Sequence, residues 1–413
     1  MRMAMLLLFL VSVMPATALG QMAPTRFCAE APHDLPCAAY PADQTEFRRT
    51  HDYMLMSPTV QTPFDVFAWQ GFVAVTWREG DRPAWQDYTA KSELIGHDGP
   101  DCEVPAGAIA IDGLHQADGH PLIDAAGNFV VYDTRLNPAM ADYVRRAGLD
   151  TLEGQRRFAG EISFPMGEVG VSDPSVMLKF AWRVFAPGSE LPEHIAQDAV
   201  IRVPGEASLT GEALCVPARL GLVGLHIVSR TRSGNGGQWI WTTFEHEANA
   251  PLGLHARDPN SIFARDLFPE GCGVAPGDHA FAAGTGALNT PPPPALWSAE
   301  PPHARLRDGR PAPPARLARC WDGFDGTQGV NDIWRAELAG DVRANYRLVV
   351  AQWRGTLPGP LAGQGEVPRY ASNITMESYI QTREDGSCLS CHASATDATG
   401  RDSNFTFVLR EAR

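Results

Sequence analysis

The feature that most constrains this chain is the run Cys388-Leu389-Ser390-Cys391-His392, which reads C-x-x-C-H. Two thiols at this spacing can add to the two vinyl groups of one porphyrin, and the histidine that follows is then held at the iron. The spacing predicts one haem c attached covalently through Cys388 and Cys391, with His392 as the proximal iron ligand. We therefore expect the rest of the chain to be organised around this site.

Three other interpretations of the same cysteines stay open. They are a C-x-x-C redox pair, half of a zinc site, and two disulfide cysteines beside an unrelated histidine. A zinc site needs a second pair of ligands at short spacing, and the sequence has none. A thioredoxin-like pair follows a strand and opens a helix inside a βαβ unit, whereas this motif lies near the end of the sequence. Haem attachment is the favoured interpretation.

The first twenty residues have the pattern of a secretory signal peptide. Arg2 supplies a charged start, residues 5–13 form an apolar run, and residues 16–20 are small enough for cleavage. The run is too short to span a bilayer, and no second apolar run is long enough to do so. We expect residues 1–20 to direct export. Because the haem must be attached after translocation, we predict a soluble protein of the bacterial periplasm, with no membrane span after signal removal.

The net charge of the chain disfavours two classes of binding partner. Lys and Arg together number 34 against 48 Asp and Glu, giving a formal net charge of −14. A strongly acidic chain is a poor partner for nucleic acid or for an anionic membrane. The positive charge is almost all arginine, because Lys91 and Lys179 are the two lysines in the sequence.

Six cysteines remain outside the motif. An even number in an oxidising compartment predicts up to three disulfides, and fifteen connectivities are possible. Cys28 with Cys37 would close a short loop and is the favoured pair. The six are Cys28, Cys37, Cys102, Cys215, Cys272 and Cys320.

Periodicity predicts a mainly β (α+β) fold: a large antiparallel β-sandwich-like domain with a few short helices and a small C-terminal haem-bearing segment. Residues 176–184 alternate apolar and polar side chains, which is typical of a strand. The turn-rich stretch 229–237 separates two further strand patterns, 220–228 and 238–245, and predicts a hairpin. Further strands are predicted at 128–132, 346–353 and 404–409.

Helices are predicted where capping residues and apolar runs coincide. Asn137 as N-cap and Pro138 at the first helical position begin one helix, which Gly148 ends. The aromatic run 63–77 is interpreted as a buried helix leading into a strand. Two more helices are predicted at 330–339 and at 374–382, the latter capped by Asn373.

Proline content suggests the domain boundaries. Residues 288–319 contain several proline runs and are expected to be extended and semi-rigid. This stretch either separates two domains or wraps across the surface of one. We assign 1–20 to the signal peptide, 21–287 to a β-rich domain, 288–319 to a Pro-rich linker and 320–413 to a C-terminal haem c-binding region.

Several segments together resemble a bacterial family usually labelled only "cytochrome c family protein". They are FAWQGFVA at 67–74, RLNP at 135–138, GLHI at 224–227, WIWTTFEH at 239–246 and NITMESY at 373–379, followed by the C-x-x-C-H. The resemblance spans most of the mature chain and implies an exported single-haem protein, without an established reaction. A looser resemblance is to β-fold cytochromes c-prime and to hydroxylamine-oxidising monohaem cytochromes, whose haem is cross-linked to a lysine.

The second axial position of the iron is not fixed by the motif. Neither Met nor His follows His392, so we expect any distal protein ligand to come from earlier residues. Met376 is the nearest candidate, with ordinary packing as its alternative role. His226 and His246 are weaker candidates, because each is better explained as an ordinary histidine within a strand than as a ligand. No catalytic residue is assigned.

Two functions follow from the distal position. A six-coordinate haem would make the chain an electron carrier or redox subunit that docks a periplasmic partner protein. An open iron would make it a haem enzyme or gas-binding protein with peroxidase-, hydroxylamine- or NO-type chemistry on a small molecule, and Lys179, Arg183, His226 or His246 would line the distal side. A glycan-binding β-sandwich with an accessory haem is a third interpretation, based on the tryptophans. The large β scaffold favours recognition of a substrate or partner.

Overall fold

The fold is organised around one large sheet. The computed structural model describes residues 39–47, 61–80, 82–232, 238–257, 279–321, 325–357, 363–367, 371–381 and 387–413. Nine strands form a mixed sheet whose pairings are antiparallel, apart from one parallel pair at its margin. The predicted mainly β fold with a few short helices is confirmed.

The described residues contain six α-helices and fifteen strands. The helices are α1 (Thr62–Thr76), α2 (Lys91–Ile95), α3 (Pro138–Arg146), α4 (Leu152–Arg157), α5 (Asp325–Glu337) and α6 (Cys388–His392). The strands are β1 (Arg78–Glu79), β2 (Arg82–Pro83), β3 (Thr89–Ala90), β4 (Ile109–Ile111), β5 (Val130–Leu136), β6 (Ser175–Phe185), β7 (Ala196–Val203), β8 (Leu214–Thr231), β9 (Gln238–His246), β10 (Leu252–Arg257), β11 (Leu296–Trp297), β12 (Ala304–Arg305), β13 (Arg319–Trp321), β14 (Tyr346–Leu357) and β15 (Gly363–Val367).

The long strand β8 organises the sheet. The strand order is β15-β14-β9-β8-β6-β5-β3, and β7 pairs with the first half of β8 while β9 pairs with its second half. Strand β4 lies parallel to β7 at the margin. Because β8 is 18 residues long, it can carry three neighbours and join the two halves of the sheet.

One face of the sheet holds the larger hydrophobic core. Helix α1 is apolar on all sides and almost entirely buried, as expected for a helix covered by other elements. Trp69 of α1 stacks on Trp334 of α5 with ring centroids 5.8 Å apart, and its indole N–H donates to Asn331 Oδ1 at 2.9 Å. Leu178, Phe180 and their neighbours on the sheet pack beneath these helices.

The opposite face carries the C-terminal residues. A second cluster joins Met177, Val228 and Trp241 of the sheet to Cys388 and Leu389 of α6 and to α3. A third, smaller cluster places Ile374 and Met376 against β5 and β6. The sheet therefore separates the main core from the face on which the C-x-x-C-H motif lies.

Residues of the predicted linker and of the predicted C-terminal region pack against the rest of the fold or pair with the main sheet. Within 288–319, Ala304, Ala312 and Leu317 are buried, and Leu317 N–H donates to the carbonyl of Phe281 at 2.8 Å. Strand β14, from the predicted C-terminal region, pairs with β9 in the middle of the main sheet.

Most of the predicted elements within the described residues are present. Asn137 caps α3 by accepting from Met140 N–H at 3.1 Å, and β8 with β9 forms the predicted antiparallel hairpin. Strands occur near 128–132 and 346–353, and helices occur near 63–77 and 330–339. Elements supported by both a capping or turn signal and a clear periodicity were predictable.

Two predicted elements are wrong. Residues 374–381 form turns rather than a helix, because the Asn373 side chain accepts from Thr375 N–H at 2.9 Å and the Glu377 carboxylate accepts from Asn373 N–H at 2.9 Å. The predicted strand at 404–409 is a turn leading into the 3₁₀ helix Val408–Glu411. Asn404 and Phe405 have φ angles of 54° and 67°, which no strand accommodates.

One disulfide is described. Cys102 and Cys215 are bonded and join the loop before β4 to β8. The favoured pair, Cys28 with Cys37, lies outside the described residues. No helix within the described residues is long and apolar enough to cross a membrane.

Candidate haem site

The motif folds as the short helix α6. Its N-cap is Ser387, whose Oγ accepts from Ser390 N–H at 3.2 Å. Gln352 of β14 is fully buried beside it, donating to Ser387 Oγ at 3.1 Å and accepting from Leu389 N–H at 2.9 Å. A helix of five residues has little stability of its own, so these contacts with the sheet fix its position.

His392 is held in one tautomer. Its Nδ1–H donates to the carbonyl of Phe405 at 2.9 Å, which leaves the lone pair on Nε2. The ring packs on Trp241, with centroids 4.0 Å apart, and against Phe407. Burial lowers the pKa of His392 to about 4, so the imidazole is neutral at physiological pH. A neutral imidazole whose second nitrogen donates to a carbonyl is the usual form of a histidine ligand.

The carbonyl that orients His392 comes from an unusual backbone segment. Asn404 and Phe405 are both left-handed, a conformation that is rare for bulky residues. Asn404 Oδ1 accepts from the indole N–H of Trp239 at 3.2 Å, and Phe405 lies beneath the guanidinium of Arg354. Such conformations persist only where surrounding contacts hold them, and they are concentrated at functional sites.

A cavity of about 710 Å³ adjoins the motif. One wall is formed by Cys388, Cys391 and His392, and another by the sheet residues Lys179 and His226. The remaining lining includes polar residues of α2, of the loops at 96–99 and 112–117 and of the C-terminal turn. This volume is within the range of cavities that hold cofactors and substrates.

The sheet wall is set by strand register. Lys179 lies opposite His226 on β6 and β8, and Val228 lies opposite Trp241 on β8 and β9. Residues directly opposite each other, and those two positions along a strand, share one face. Lys179, His226 and Trp241 are therefore presented to the same side of the sheet.

His226 is tied to an acid from the loop above. Its Nε2–H donates to Glu377 Oε1 at 3.0 Å, while Glu377 Oε2 accepts from Asn373 N–H. Burial raises the pKa of Glu377, but the opposing effects of His226, the next cause, and of Lys179 outweigh it, so the pKa is lowered and the carboxyl is ionised. His226 Nδ1 is buried and has no hydrogen-bond partner within the described residues.

The three candidates for a distal iron ligand lie in different parts of the structure. His226 lines the cavity that contains His392, whereas Met376 and His246 are not among its lining residues. Met376 is fully buried in the third cluster. His246 stacks on His194 with ring centroids 4.3 Å apart, and both its nitrogens are engaged, Nε2 with the carbonyl of Glu193 and Nδ1 with Ala248 N–H.

Lys179 and Arg183, the other two residues considered for the distal side, also lie in different parts of the structure. Lys179 lines the cavity, and its ammonium lies 5.4 Å from the centre of the Tyr132 ring. Arg183 is paired with Asp124 at 2.5 Å and is not among the lining residues. The structure thus brings Lys179 and His226 together with the motif, but leaves Arg183 and His246 elsewhere.

The residues present fit a covalently attached haem. Neither Cys388 nor Cys391 is in a disulfide, and both line the same cavity as His392. Cys388 is 8% exposed whereas Cys391 is exposed, so one thiol faces the interior and the other the rim. Within the described residues no cluster of three or more His, Cys, Asp or Glu has the geometry of a metal site. A haem iron does not need such a cluster, since the porphyrin supplies four ligands.

Sequence reasoning missed Gln352, Glu377 and Trp241 as parts of the site. Gln352 and Trp241 occupy adjacent strand positions, paired in the register of β14 and β9, and both face the motif. A polar glutamine within the otherwise apolar run 348–353 was the available signal, because a buried polar side chain needs partners. Glu377 had no comparable signal.

The site is therefore defined by its own residues: two thiols, a neutral imidazole held by a carbonyl, and a polar cavity bounded by the sheet. The chemistry available is covalent attachment of a porphyrin and axial ligation of its iron by His392. No protein-family model, curated protein or solved structure matches this chain.

Proposed function

We propose that this chain is a periplasmic single-haem c-type redox protein that binds a small molecule in the cavity beside its haem. Cys388 and Cys391 would hold the haem, and His392 would be its proximal ligand. Bound there, a haem supplies one-electron redox chemistry and an iron position for a small ligand. The observation that carries the proposal is the shared cavity of about 710 Å³, which all three motif residues line.

The form of His392 supports this assignment. The Phe405 carbonyl fixes the tautomer, and Trp241 fixes the plane of the ring. Both contacts prepare Nε2 as a ligand before any metal arrives, because the ring neither rotates nor carries a proton at that nitrogen. An unrelated histidine beside two cysteines would not require this support.

The opposite wall favours a small-molecule site over a simple carrier. A carrier of the usual kind closes the second axial position with a thioether or imidazole. Here Met376 packs away from the cavity, and the Nε2 of His226 is engaged by Glu377. Lys179, His226 and Glu377 instead supply an amine, an imidazole and a carboxylate that can bind or move protons. Peroxide, hydroxylamine and nitric oxide belong to the size class that such a site admits.

Electron transfer remains part of the proposal. Cys391 is exposed, so a haem on its thiol would have an edge near the surface. A redox partner protein of the periplasm would exchange electrons at that edge. The open cavity and the exposed edge are compatible, since they serve the iron and the porphyrin rim respectively.

The first experiment tests haem attachment. The full chain is expressed with a periplasmic haem-attachment system, and its mass and its pyridine haemochrome spectrum are measured. We expect the mass of one haem and a spectrum of two thioether bonds. The variant C391S should keep the fold while forming at most one thioether bond. An unmodified mass for the wild-type chain would refute the proposal.

The second experiment tests the cavity. Optical and EPR spectra are recorded with and without carbon monoxide, nitric oxide and peroxide. We expect a high-spin iron that binds these molecules. A low-spin iron whose spectrum ignores all three would exclude the small-molecule function and leave electron transfer alone.

A further inference from the structure

The sheet wall of the cavity presents a cation, Lys179, that has no carboxylate within ion-pairing distance among the described residues. Lys179 is one of two lysines in a chain whose other basic residues are arginines. Within the described residues no carboxylate forms an ion pair with it, and its ammonium lies over the Tyr132 ring. Lys179 is partly buried, and a charge with restricted access to water is stabilised by an opposite charge. The cavity is the side from which a partner can reach Lys179.

Glu377, the acid with the strongest electrostatic effect on Lys179, is already engaged. Glu377 Oε1 accepts from His226 Nε2 at 3.0 Å, and its Oε2 accepts from Asn373 N–H at 2.9 Å. Both carboxylate oxygens are therefore directed at other donors. Desolvation by burial, the largest cause, lowers the pKa of Lys179, and Glu377 opposes this from a distance. An anion in contact with the ammonium would compensate the cost of burial.

The second lysine provides a contrast within the same cavity. Lys91 lies at the rim, where its ammonium pairs with Glu411 Oε2 at 2.5 Å. Its charge is thus compensated by the chain itself. Both lysines line the cavity. Of the two, Lys179 is the one without a carboxylate partner among the described residues.

A further donor lies on the same face. The indole N–H of Trp241 is buried and has no acceptor within the described residues. His226 lies between the two donors, directly opposite Lys179 on the neighbouring strand and with its ring edge-on to Trp241 at 6.1 Å. The wall thus offers a cation and a neutral N–H, both of which complement an acceptor.

We infer that Lys179 forms an anion-binding subsite in this cavity, and that its ligand is a carboxylate or another small oxyanion. The inference deepens the proposed function by naming a ligand class for the same cavity, and it rests on that function where the anion is part of the haem. Two sources share this chemistry: a free anion that enters from solvent, and a propionate group of the porphyrin. An ammonium is a compact point charge that suits either one.

Titration of the holoprotein with sodium formate tests the free anion. Isothermal calorimetry compares the wild type with K179M, which keeps the side-chain length without the charge, and with the rim variant K91M. We expect saturable binding to the wild type and to K91M, weakened by roughly tenfold or more in K179M. Equal binding to the wild type and K179M would overturn a free-anion subsite at Lys179.

Resonance Raman spectra test the porphyrin source. The propionate bending band is compared between the wild type, K179M and K91M. If the wild type binds no formate and the band shifts in K179M but not in K91M, the anion is the haem propionate. Absence of both the formate effect and the band shift overturns the inference. If mass spectrometry finds no haem, the proposed function fails separately, and the formate titration still decides whether Lys179 binds an anion.

A measurement on the wild type alone covers the case in which K179M does not fold. Reductive methylation is followed by peptide mass spectrometry, and the two lysines make the assignment direct. We expect saturating formate to slow modification of Lys179 and to leave Lys91 unaffected. Equal rates with and without formate, together with a propionate band of the wild type that does not move when Lys179 is methylated, contradict the subsite.

Discussion

The side-chain carbonyl of Gln352 accepts a hydrogen bond from the backbone N–H of Leu389 at 2.9 Å, inside the motif itself. Its amide nitrogen donates to Ser387, the N-cap of α6. One buried residue of β14 therefore serves both the cap and the first turn of the helix. The position of the thiols depends on a strand more than thirty residues earlier in the chain.

Replacing Gln352 by Leu should loosen the motif helix. The variant leaves the Leu389 N–H buried without an acceptor, and each such loss costs about 1–3 kcal/mol. We expect the free energy of unfolding in urea to fall by about 2–4 kcal/mol and the yield of attached haem to fall with it. The matched control is Q197L, since Gln197 is also buried and hydrogen-bonded but lies on β7. Q197L should lower stability and leave the haem spectrum unchanged; identical spectra for both variants would contradict the role of Gln352.

The left-handed backbone at Asn404 gives a second prediction. N404G and N404V both remove the acceptor of the Trp239 N–H, but glycine tolerates a φ of 54° and a β-branched residue does not. We expect N404V to be less stable than N404G by about 1–3 kcal/mol. Urea unfolding of the two variants measures the difference directly. Equal stability would mean that the conformation at this residue relaxes without cost.

Met376 provides a test of the second axial position. It is fully buried among apolar side chains and does not line the cavity, so M376L should cost less than about 1.5 kcal/mol. The optical and EPR spectra of the iron should be those of the wild type. A change of spin state in M376L would instead identify Met376 as a ligand and restore the electron-carrier interpretation.

Asp65 should make stability depend on pH. Burial raises its pKa to about 7, against the opposing hydrogen bonds from Gln61 and Thr327. Because the folded state keeps the proton more firmly than the unfolded state, this contribution is fully present below about pH 4 and is lost as the pH rises towards 7. The loss is on the order of 4 kcal/mol.

The comparison of the wild type with D65N isolates that effect. Asparagine keeps an acceptor for Gln61, and the Thr327 hydroxyl can accept from its amide. Unfolding free energies measured from pH 4 to pH 7.5 should fall for the wild type relative to D65N. Parallel pH profiles would show that Asp65 does not titrate in this window.

The sequence predicted those parts of the fold whose signals are local. The Asn137 cap, the alternation along β6 and the turn-rich break before β9 each depend on neighbouring residues only. The predicted strand at 404–409 failed because its apolar alternation is overridden by two left-handed residues. Those residues are held by long-range contacts with Trp239 and Arg354, which no local pattern encodes.

One wall of the candidate site, the wall formed by the C-x-x-C-H motif, could be predicted from the sequence. The spacing of Cys388, Cys391 and His392 predicted that they form one site, and they line one cavity, while the haem that they would hold stays a prediction. Their partners come from distant strands: Trp241 from β9 and Gln352 from β14. Which of Met376, His226 and His246 reaches the cavity depends on strand register and loop path, so the sequence alone could not rank them.

The pairing of β14 with β9 closes the sheet on which the motif lies. Tyr346 lies opposite His246, one hundred positions earlier, so this closure is a long-range contact. Helix α6 docks on that closed sheet, and docking buries the thiol of Cys388. In the docked helix Cys388 faces the cavity that it lines, whereas Cys391 is exposed. The two thiols should therefore differ in reactivity, and we expect an added thiol reagent to modify Cys391 before Cys388.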